Sequence, residues 1–200
     1  TYAAAVSPES SAIMARLGLG LLVIPQKPWE VVKQDFAIYR DVYEKENGCE
    51  APQPVCGGFF FVDKDAGRAE EMAYKWIGDY YHTAMKHYEM AGEKFGTQKG
   101  YEFYKNVGKY IERNGLDGAA KDFAELMPWG TPKQVIEKIA YIREIIDMNL
   151  LTCNLSYAGM PYDEAERNMR CFAEYVLPEL KKWDTIPITT PANLNLRLAS

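Results

Sequence analysis

The residues Ser7-Pro8-Glu9-Ser10 are the clearest candidates for chemistry in this 200-residue sequence. A short apolar run precedes them and apolar residues at helical spacing follow, so Ser7 is predicted to cap a helix that begins at Pro8. A helix N-terminus has free N–H groups and a partial positive charge, so it attracts anions. The hydroxyls of Ser7 and Ser10 would lie around one point and could hold a phosphate. A plain capped helix is the alternative interpretation.

The histidines and cysteines are weaker candidates. His82 and His87 lie five residues apart and do not share one helical face, although either could serve as a general base. No Cys-x-x-Cys pair occurs, and the chain has only two histidines, which argues against a zinc site. We therefore expect reduced cysteines in a cytoplasmic protein. The four cysteines are Cys49, Cys56, Cys153 and Cys171.

Composition excludes several partners. The formal net charge is -5, and no basic block is present that would bind nucleic acid. No run approaches the roughly 20 apolar residues of a membrane helix, so no membrane association is expected. The hydrophobic share of 48% is ordinary for a globular domain.

Apolar runs alternate with helical patterns along most of the chain, which predicts parallel strands joined by helices. The second and last helices carry apolar stripes of Val32, Phe36, Tyr39 and Tyr43, and of Ala165, Met169, Phe172 and Val176. Asp63 or Asp65 can cap the third helix, and Gly130-Thr131-Pro132 begins another. Four strand–helix units can form an open sheet or half of an eight-fold barrel. The predicted strands are Tyr2–Val6, Leu19–Ile24, Val55–Val62 and Leu150–Ser156.

Two regions depart from this alternation. Residues 90–126 are rich in Gly, Lys, Glu and Tyr, and we expect one or two short helices there, such as 101–113. A long connection of this kind is often a lid, and a surface insertion is the alternative. Residues 185–200 show no period and are predicted to be an extended tail after a domain of residues 1–184.

Four segments in order make the chain similar to the bacterial luciferase-like flavin monooxygenases, whose fold is a parallel (βα)₈ TIM barrel that binds FMN. The resemblance implies that this chain supplies the second half, strands five to eight, with a helical insertion after strand seven. The segments are Tyr2 to Leu22, Tyr39-Arg40, Gly130-Thr131-Pro132-Lys133-Gln134-Val135, and Ala158-Gly159-Met160-Pro161 with Arg167 to Pro178.

The resemblance also implies cofactor contacts. In luciferase-type members the turn after strand five holds the flavin phosphate. The resemblance therefore implies that the hydroxyls of Ser7 and Ser10 contact the phosphate and that Val6 and Glu9 contribute backbone contacts. An arginine from the first half of the barrel completes this site in the family. Barrel sites lie at the C-terminal ends of strands, near Ile24, Val62, Ser156 and Tyr157 here, although packing is the alternative role for each.

The resemblance also implies a reaction in which reduced FMN and O2 oxygenate a small organic molecule such as an aldehyde or alkane. A separate reductase would supply the reduced flavin. The expected assembly is a homo-oligomer or dimer. The alternatives are a non-catalytic flavin-binding or subunit-pairing barrel, and a deazaflavin-dependent enzyme that transfers hydride. The sequence begins without Met and inside an apolar run, so we expect a natural start upstream and no activity from this piece alone.

Overall fold

The structure is a computed structural model that describes residues 1–5, 7–88, 102–148 and 150–184. It divides into two compact units. The first contains Thr1–Gly57 and Tyr141–Thr152, and the second contains Gly58–Ala140 and Cys153–Trp183. Within the described residues, no helix combines the length and apolar character needed to cross a bilayer.

Short strands and longer helices alternate through the first unit, as the sequence pattern predicts. Its elements are β1 (Tyr2–Ala4), α1 (Pro8–Arg16), β2 (Gly20–Val23) and α2 (Trp29–Asn47). Strand β1 pairs parallel with β2, placing Tyr2 opposite Gly20. A Cβ atom on Gly20 would lie 2.5 Å from the ring of the exposed Tyr2, so a larger residue there would require that ring to move.

Helix α2 buries the aromatic stripe that its sequence predicts. All four predicted residues are buried, and the hydroxyl of Tyr39 donates to the Leu19 carbonyl at 2.7 Å. Tyr43 donates to the Gly18 carbonyl at 3.4 Å. Burial raises the pKa of Tyr39, so this hydroxyl keeps its proton and its hydrogen bond. The stripe therefore attaches α2 to the turn between α1 and β2.

Three elements run from one unit into the other, namely β3 (Val55–Phe59), α6 (Pro132–Ile146) and β6 (Leu150–Asn154). The larger sheet has the strand order β1-β2-β3-β6. Strands β2 and β3 pair in parallel, with Leu22 opposite Val55. This order is the one expected when successive strands of a βα series lie side by side.

The second unit is mainly helical around a small sheet. It contains β4 (Phe61–Val62), α3 (Ala66–His87), α4 (Glu102–Asn114), α5 (Leu116–Glu125), β5 (Trp129–Gly130), α7 (Tyr162–Cys171), a π-helical turn (Phe172–Val176) and α8 (Leu177–Leu180). Strands β4 and β5 pair in parallel, with Phe61 opposite Trp129. Helices α4 and α5 occupy most of the predicted insertion, whose residues 90–101 lie outside the described residues, as do residues 185–200.

Three details of the second unit differ from the sequence prediction. The strand predicted over Val55–Val62 is interrupted at Phe60, so β3 and β4 pair in different sheets. The two-residue strand β5 is a second difference, because Trp129 and Gly130 are too short a run to show strand periodicity and directly precede the helix start at Thr131-Pro132. The third is Met169 of α7, which is 43% exposed, whereas its neighbour Asn168 is fully buried.

Candidate functional site

The first turn of α1 brings together the hydroxyls that the sequence singled out. Ser7 is the N-cap residue, with φ −96° and ψ 153°, and its Oγ accepts the N–H of Ser10 at 3.2 Å. The two Oγ atoms lie 2.6 Å apart. Pro8 occupies the first helical position, where a missing N–H costs nothing. The predicted cap and the predicted hydroxyl pair are therefore both present.

The members of this turn differ in accessibility. Ser7 is only 6% exposed, whereas Ser10 is half-buried and the Glu9 side chain is exposed. The hydroxyl of Ser10 is thus the more accessible of the pair, and that of Ser7 lies behind it. The N–H of Glu9 has no acceptor within the helix, because its i−4 residue precedes the helix. Val6, the other predicted contact, lies outside the described residues.

A small cavity lies at the carboxyl ends of β1 and β2 in the first unit. Ala5, Ser11 and Ile24 line it together with Lys27 and Asp35, which form an ion pair. Its volume of about 30 Å³ leaves room for one or two water molecules. It cannot enclose a flavin ring.

Tyr157 and Val62 are strand-end residues that the second unit holds by hydrogen bonds. The hydroxyl of Tyr157 donates to the Phe60 carbonyl at 3.2 Å, and burial raises its pKa. The N–H of Val62 donates to Oδ1 of Asn168 at 2.9 Å. Ser156 is exposed and lies at the bend that follows β6.

Aromatic rings pack around Phe59 at the end of β3. The ring centroids of Phe59 and Tyr80 are 4.0 Å apart, and those of Phe59 and Tyr157 are 5.1 Å apart with the rings edge to face. Phe123 of α5 packs on Tyr81 of α3 at 5.2 Å. These contacts anchor α5 on α3 through its aromatic face.

A charged network lies just after β4 in the second unit. Asp63, which is 5% exposed, accepts the N–H of Asp65 at 3.0 Å and pairs with Arg68 at 2.5 Å and with Arg167 at 3.4 Å. Arg68 also pairs with Glu164. Burial alone would raise the pKa of Asp63, but the Asp65 N–H and the two guanidinium groups together hold it below its usual value.

The capping prediction for α3 left two candidates, and the structure assigns a role to each. Asp65 caps the helix, because its Oδ1 accepts the N–H of Arg68 at 2.7 Å. Asp63 instead accepts the N–H of Asp65 in the loop after β4 and forms ion pairs with Arg68 and Arg167. The two predicted histidines do not come together: His82 lies 3.1 Å from Asp117, and Nδ1 of His87 lies 2.9 Å from the Thr83 carbonyl.

Asn168 of α7 also belongs to this region, although its sequence pattern does not predict a buried position for it. The Asn168 amide reaches three backbone groups at the ends of β3, β4 and β6. The pattern of α7 allows residue 168 or residue 169 on the inner face, since both lie three or four positions from Ala165 and Phe172. Hydrophobicity favoured Met169. The need of buried backbone groups for partners favours the asparagine.

The comparisons with known proteins give a family and a fold. The sequence matches the model of the family described as luciferase-like monooxygenase over residues 1–147. A search of curated proteins found no match.

Among solved structures, the chain is similar to EDTA monooxygenase (EmoA) from Chelativorans sp. BNC1, with 15% identity and a TM-score of 0.61. The alignment covers 98% of this chain and 47% of that one. It is also similar to the oxygenating constituent of 3,6-diketocamphane monooxygenase from the CAM plasmid of Pseudomonas putida, in complex with FMN. That match has 13% identity, a TM-score of 0.55, and coverage of 89% and 47%.

A third similar structure is the coenzyme F420-dependent tetrahydromethanopterin reductase from Methanopyrus kandleri. The identity is 13%, the TM-score 0.54, and the coverage 89% of this chain and 50% of that chain. The chain thus spans about half the length of these three relatives. At such identities the likeness shows the fold alone, an α/β fold with a parallel sheet like that of TIM-barrel monooxygenases.

Proposed function

The chain belongs to the luciferase-like monooxygenase family, and we propose that it is part of an FMN-dependent enzyme that uses reduced flavin and O2 to oxygenate a small organic substrate, such as an aldehyde or an alkane. The observation that carries the proposal is the Ser7–Ser10 hydroxyl pair at the N-terminus of α1. It lies at the carboxyl end of a parallel strand, the end at which barrel enzymes place their active sites, and at a helix N-terminus, which attracts phosphate.

The proposed architecture is the second half of a (βα)₈ barrel. Strands β1, β2, β3–β4 and β6 would be strands five to eight, and residues 90–126 would be an insertion after strand seven. The sheet order β1-β2-β3-β6 and the roughly doubled length of the structural relatives support this assignment. Residues 1–184 would form the half barrel and residues 185–200 a tail.

The residues of the α1 turn fit one end of FMN. Two hydroxyls 2.6 Å apart and the free N–H of Glu9 offer donors to phosphate oxygens, and the helix N-terminus adds partial positive charge. Rotation of the Ser10 hydroxyl exchanges its bond to Ser7 for one to the ligand without moving the backbone. The exposed Glu9 carboxylate opposes a bound dianion, so we assign only its backbone to binding.

When bound, FMN would supply the redox chemistry, and the residues of this chain would bind, orient and exclude water. The second unit suits water exclusion, because Phe59, Tyr80 and Phe123 pack closely at the end of β3. Burial raises the pKa of Tyr80 as well as that of Tyr157, so both phenols stay neutral and carry no charge into an apolar region.

The test is turnover by the full-length protein with reduced FMN, O2 and a panel of aldehydes and alkanes. We expect an oxygenated product that incorporates one atom of ¹⁸O from ¹⁸O2. Tight FMN binding without any oxygenated product would instead indicate the non-catalytic flavin-binding alternative. Failure to bind FMN would refute the proposal.

The second candidate is deazaflavin-dependent hydride transfer, favoured by the likeness to the F420-dependent reductase. The phosphate turn serves either cofactor, because both carry a phosphate on the same side chain. Absorbance of the purified holoprotein separates them, and only the flavin reaction needs O2. The cytoplasmic location, the homo-oligomer and the reductase partner stay predictions.

A further inference from the structure

Asn168 of α7 is fully buried, and among the described residues its side-chain amide bonds to backbone groups at strand ends. Its Oδ1 accepts the N–H of Val62 at 2.9 Å, and its Nδ2 donates to the carbonyls of Phe60 at 2.8 Å and Leu155 at 3.0 Å. Three of the four hydrogen-bonding positions of the amide are thereby used. All of these residues belong to the second unit.

The positions of these bonds match a missing part of the sheet. The N–H of Phe60 donates to the carbonyl of Asn154 at 2.9 Å. If this parallel ladder continued by one step, Ser156 would donate to the Phe60 carbonyl and accept from the Val62 N–H. The chain instead ends β6 at Asn154 and bends at Ser156, which is exposed. The Asn168 amide makes both of the bonds that the Ser156 backbone does not make.

We propose that Asn168 is a positioning residue whose amide replaces one peptide group of β6, so that residues 156–160 leave the sheet at the carboxyl end of β6 and are free to contact a substrate there. This inference rests on the function proposed above, which places the site at the carboxyl ends of the strands.

The departing segment has a defined shape that depends on the same carbonyl. Tyr157 donates to the Phe60 carbonyl at 3.2 Å, so its hydroxyl and the Asn168 amide share one acceptor. Ala158 and Gly159 then reverse the chain at φ 54° and 69°. If Ser156 entered the ladder, Tyr157 would be drawn into the strand and this bond would be lost. Asn168 therefore determines where the Tyr157 ring lies.

Asn47 provides a matched control in the first unit. Its Nδ2 donates to the carbonyls of Ala15 and Tyr43, both at 2.8 Å. It thus also donates to two backbone carbonyls, but it lies at the end of α2. Asn168→Leu and Asn47→Leu each remove two hydrogen bonds donated to backbone carbonyls, and Asn168→Leu also removes the bond accepted from Val62. Asn168→Asp and Asn47→Asp remove the donors while keeping the shape of the side chain.

The experiment uses the full-length protein and compares these four variants with the wild type at temperatures where all are folded. We expect N168L to speed amide hydrogen exchange in residues 156–162 at least tenfold and to lower kcat/KM at least tenfold. The N47L variant should speed exchange near residue 47 and change kcat/KM less than twofold.

The Asn168→Asp variant adds a readout that a stabilising role alone would not change. Its carboxylate would be buried against two carbonyl oxygens, so its pKa would be raised and the protonated form would restore a donor to Phe60. The ratio of the kcat/KM of N168D to that of the wild type should therefore increase at least fivefold when the pH is lowered from 8 to 5.5. The N47D variant should show no such change.

Two results would overturn the inference. One is an equal loss of kcat/KM in N168L and N47L, and the other is unchanged exchange of residues 156–162 in N168L. Faster exchange in N168L, combined with a wild type that binds no FMN, would refute the proposed function and the site role. It would still support replacement of the peptide group, so the two failures are distinguishable.

Discussion

Helices α1 and α6 begin with nearly the same sequence pattern, but their first turns are completed differently. Each has a hydroxyl residue at the cap, then proline, a charged residue and a polar residue: Ser7-Pro8-Glu9-Ser10 and Thr131-Pro132-Lys133-Gln134. In α6, Oε1 of Gln134 accepts both the N–H and the hydroxyl of Thr131 at 2.8 Å, which forms a closed capping box. In α1, the shorter side chain of Ser10 bonds the cap hydroxyl.

If α1 binds the phosphate as proposed, the fourth residue of each helix start explains why α1 and not α6 receives the anion. Gln134 also occupies the space beside Gly130, where a Cβ would lie 2.8 Å from Oε1. A ligand at α6 would have to displace this carboxamide and break its bonds. At α1, rotation of one hydroxyl is enough. The same motif is therefore closed in α6 and open in α1.

The largest expected effect is on FMN affinity, when a negative charge is placed at the cap of α1. Ser7→Asp should keep α1 capped, because Asp caps as well as Ser, but should weaken FMN binding about 100-fold. Two charges 4 Å apart near a protein surface repel by about 4 kcal/mol, which is more than this loss requires. Titration of FMN fluorescence measures it. Thr131→Asp is the control, and a greater loss in T131D would assign the phosphate to α6.

A third helix start, α3, differs from both because its loop is charged. Asp63→Asn removes the partner of Arg68 and Arg167 and should cost about 2 kcal/mol at neutral pH. The folded-state pKa of Asp63 is lowered, so its contribution is present above the unfolded pKa of about 3.9 and is lost as the pH falls through the folded value.

Urea midpoints of the wild type and D63N should therefore converge as the pH falls from 6 towards 2. Asp79→Asn, which alters a half-exposed pair with Lys75, is the control. The hydroxyl and carboxamide caps of α1 and α6 are uncharged and should not contribute to this convergence. A constant difference between wild type and D63N across the pH range would contradict the assignment.

The fourth residues of the two helices can be exchanged for alanine to separate binding from stability. Ser10→Ala should weaken FMN binding about tenfold, the value of one hydrogen bond to a charged group, with little change in stability. Gln134→Ala should leave FMN binding unchanged and cost about 1 kcal/mol of unfolding free energy, since it opens the capping box. Equal effects of the two variants on FMN affinity would remove the distinction between open and closed starts.

The smallest effect is expected at the opposite end of α6. Asp147 has φ 54°, and it pairs with Arg40 at 3.2 Å, with both side chains more than one-third exposed. Asp147→Gly relieves the backbone and loses an ion pair of small value, so stability should change by about 0.5 kcal/mol or less. Thermal melts of D147G and D147N separate the backbone effect from the loss of the ion pair. A large loss of stability in D147N would mean that the ion pair dominates.

The sequence predicted the features that depend on neighbours along the chain. The caps of α1 and α6, the buried stripe of α2 and the proximity of the Ser7 and Ser10 hydroxyls all follow from local spacing, and the structure contains each. Phosphate binding by that pair stays a prediction.

Features that depend on distant residues could not be predicted in this way. The interruption at Phe60 follows from pairing with two different sheets, and Asn168 bonds to a carbonyl 108 positions earlier in the chain. Helical periodicity accepts either Met169 or Asn168 on the inner face. Only the backbone groups that need partners there distinguish them.

The exchange of a peptide group for a side chain at the end of β6 also has an evolutionary consequence. Because α7 supplies the hydrogen bonds, the ladder does not depend on the identity or number of residues between Ser156 and Met160. Insertions and substitutions in that segment leave the neighbouring strand satisfied, provided that the asparagine stays. Sequence variation can then accumulate in the segment while selection for a stable sheet acts on an asparagine of α7, the helix that follows it.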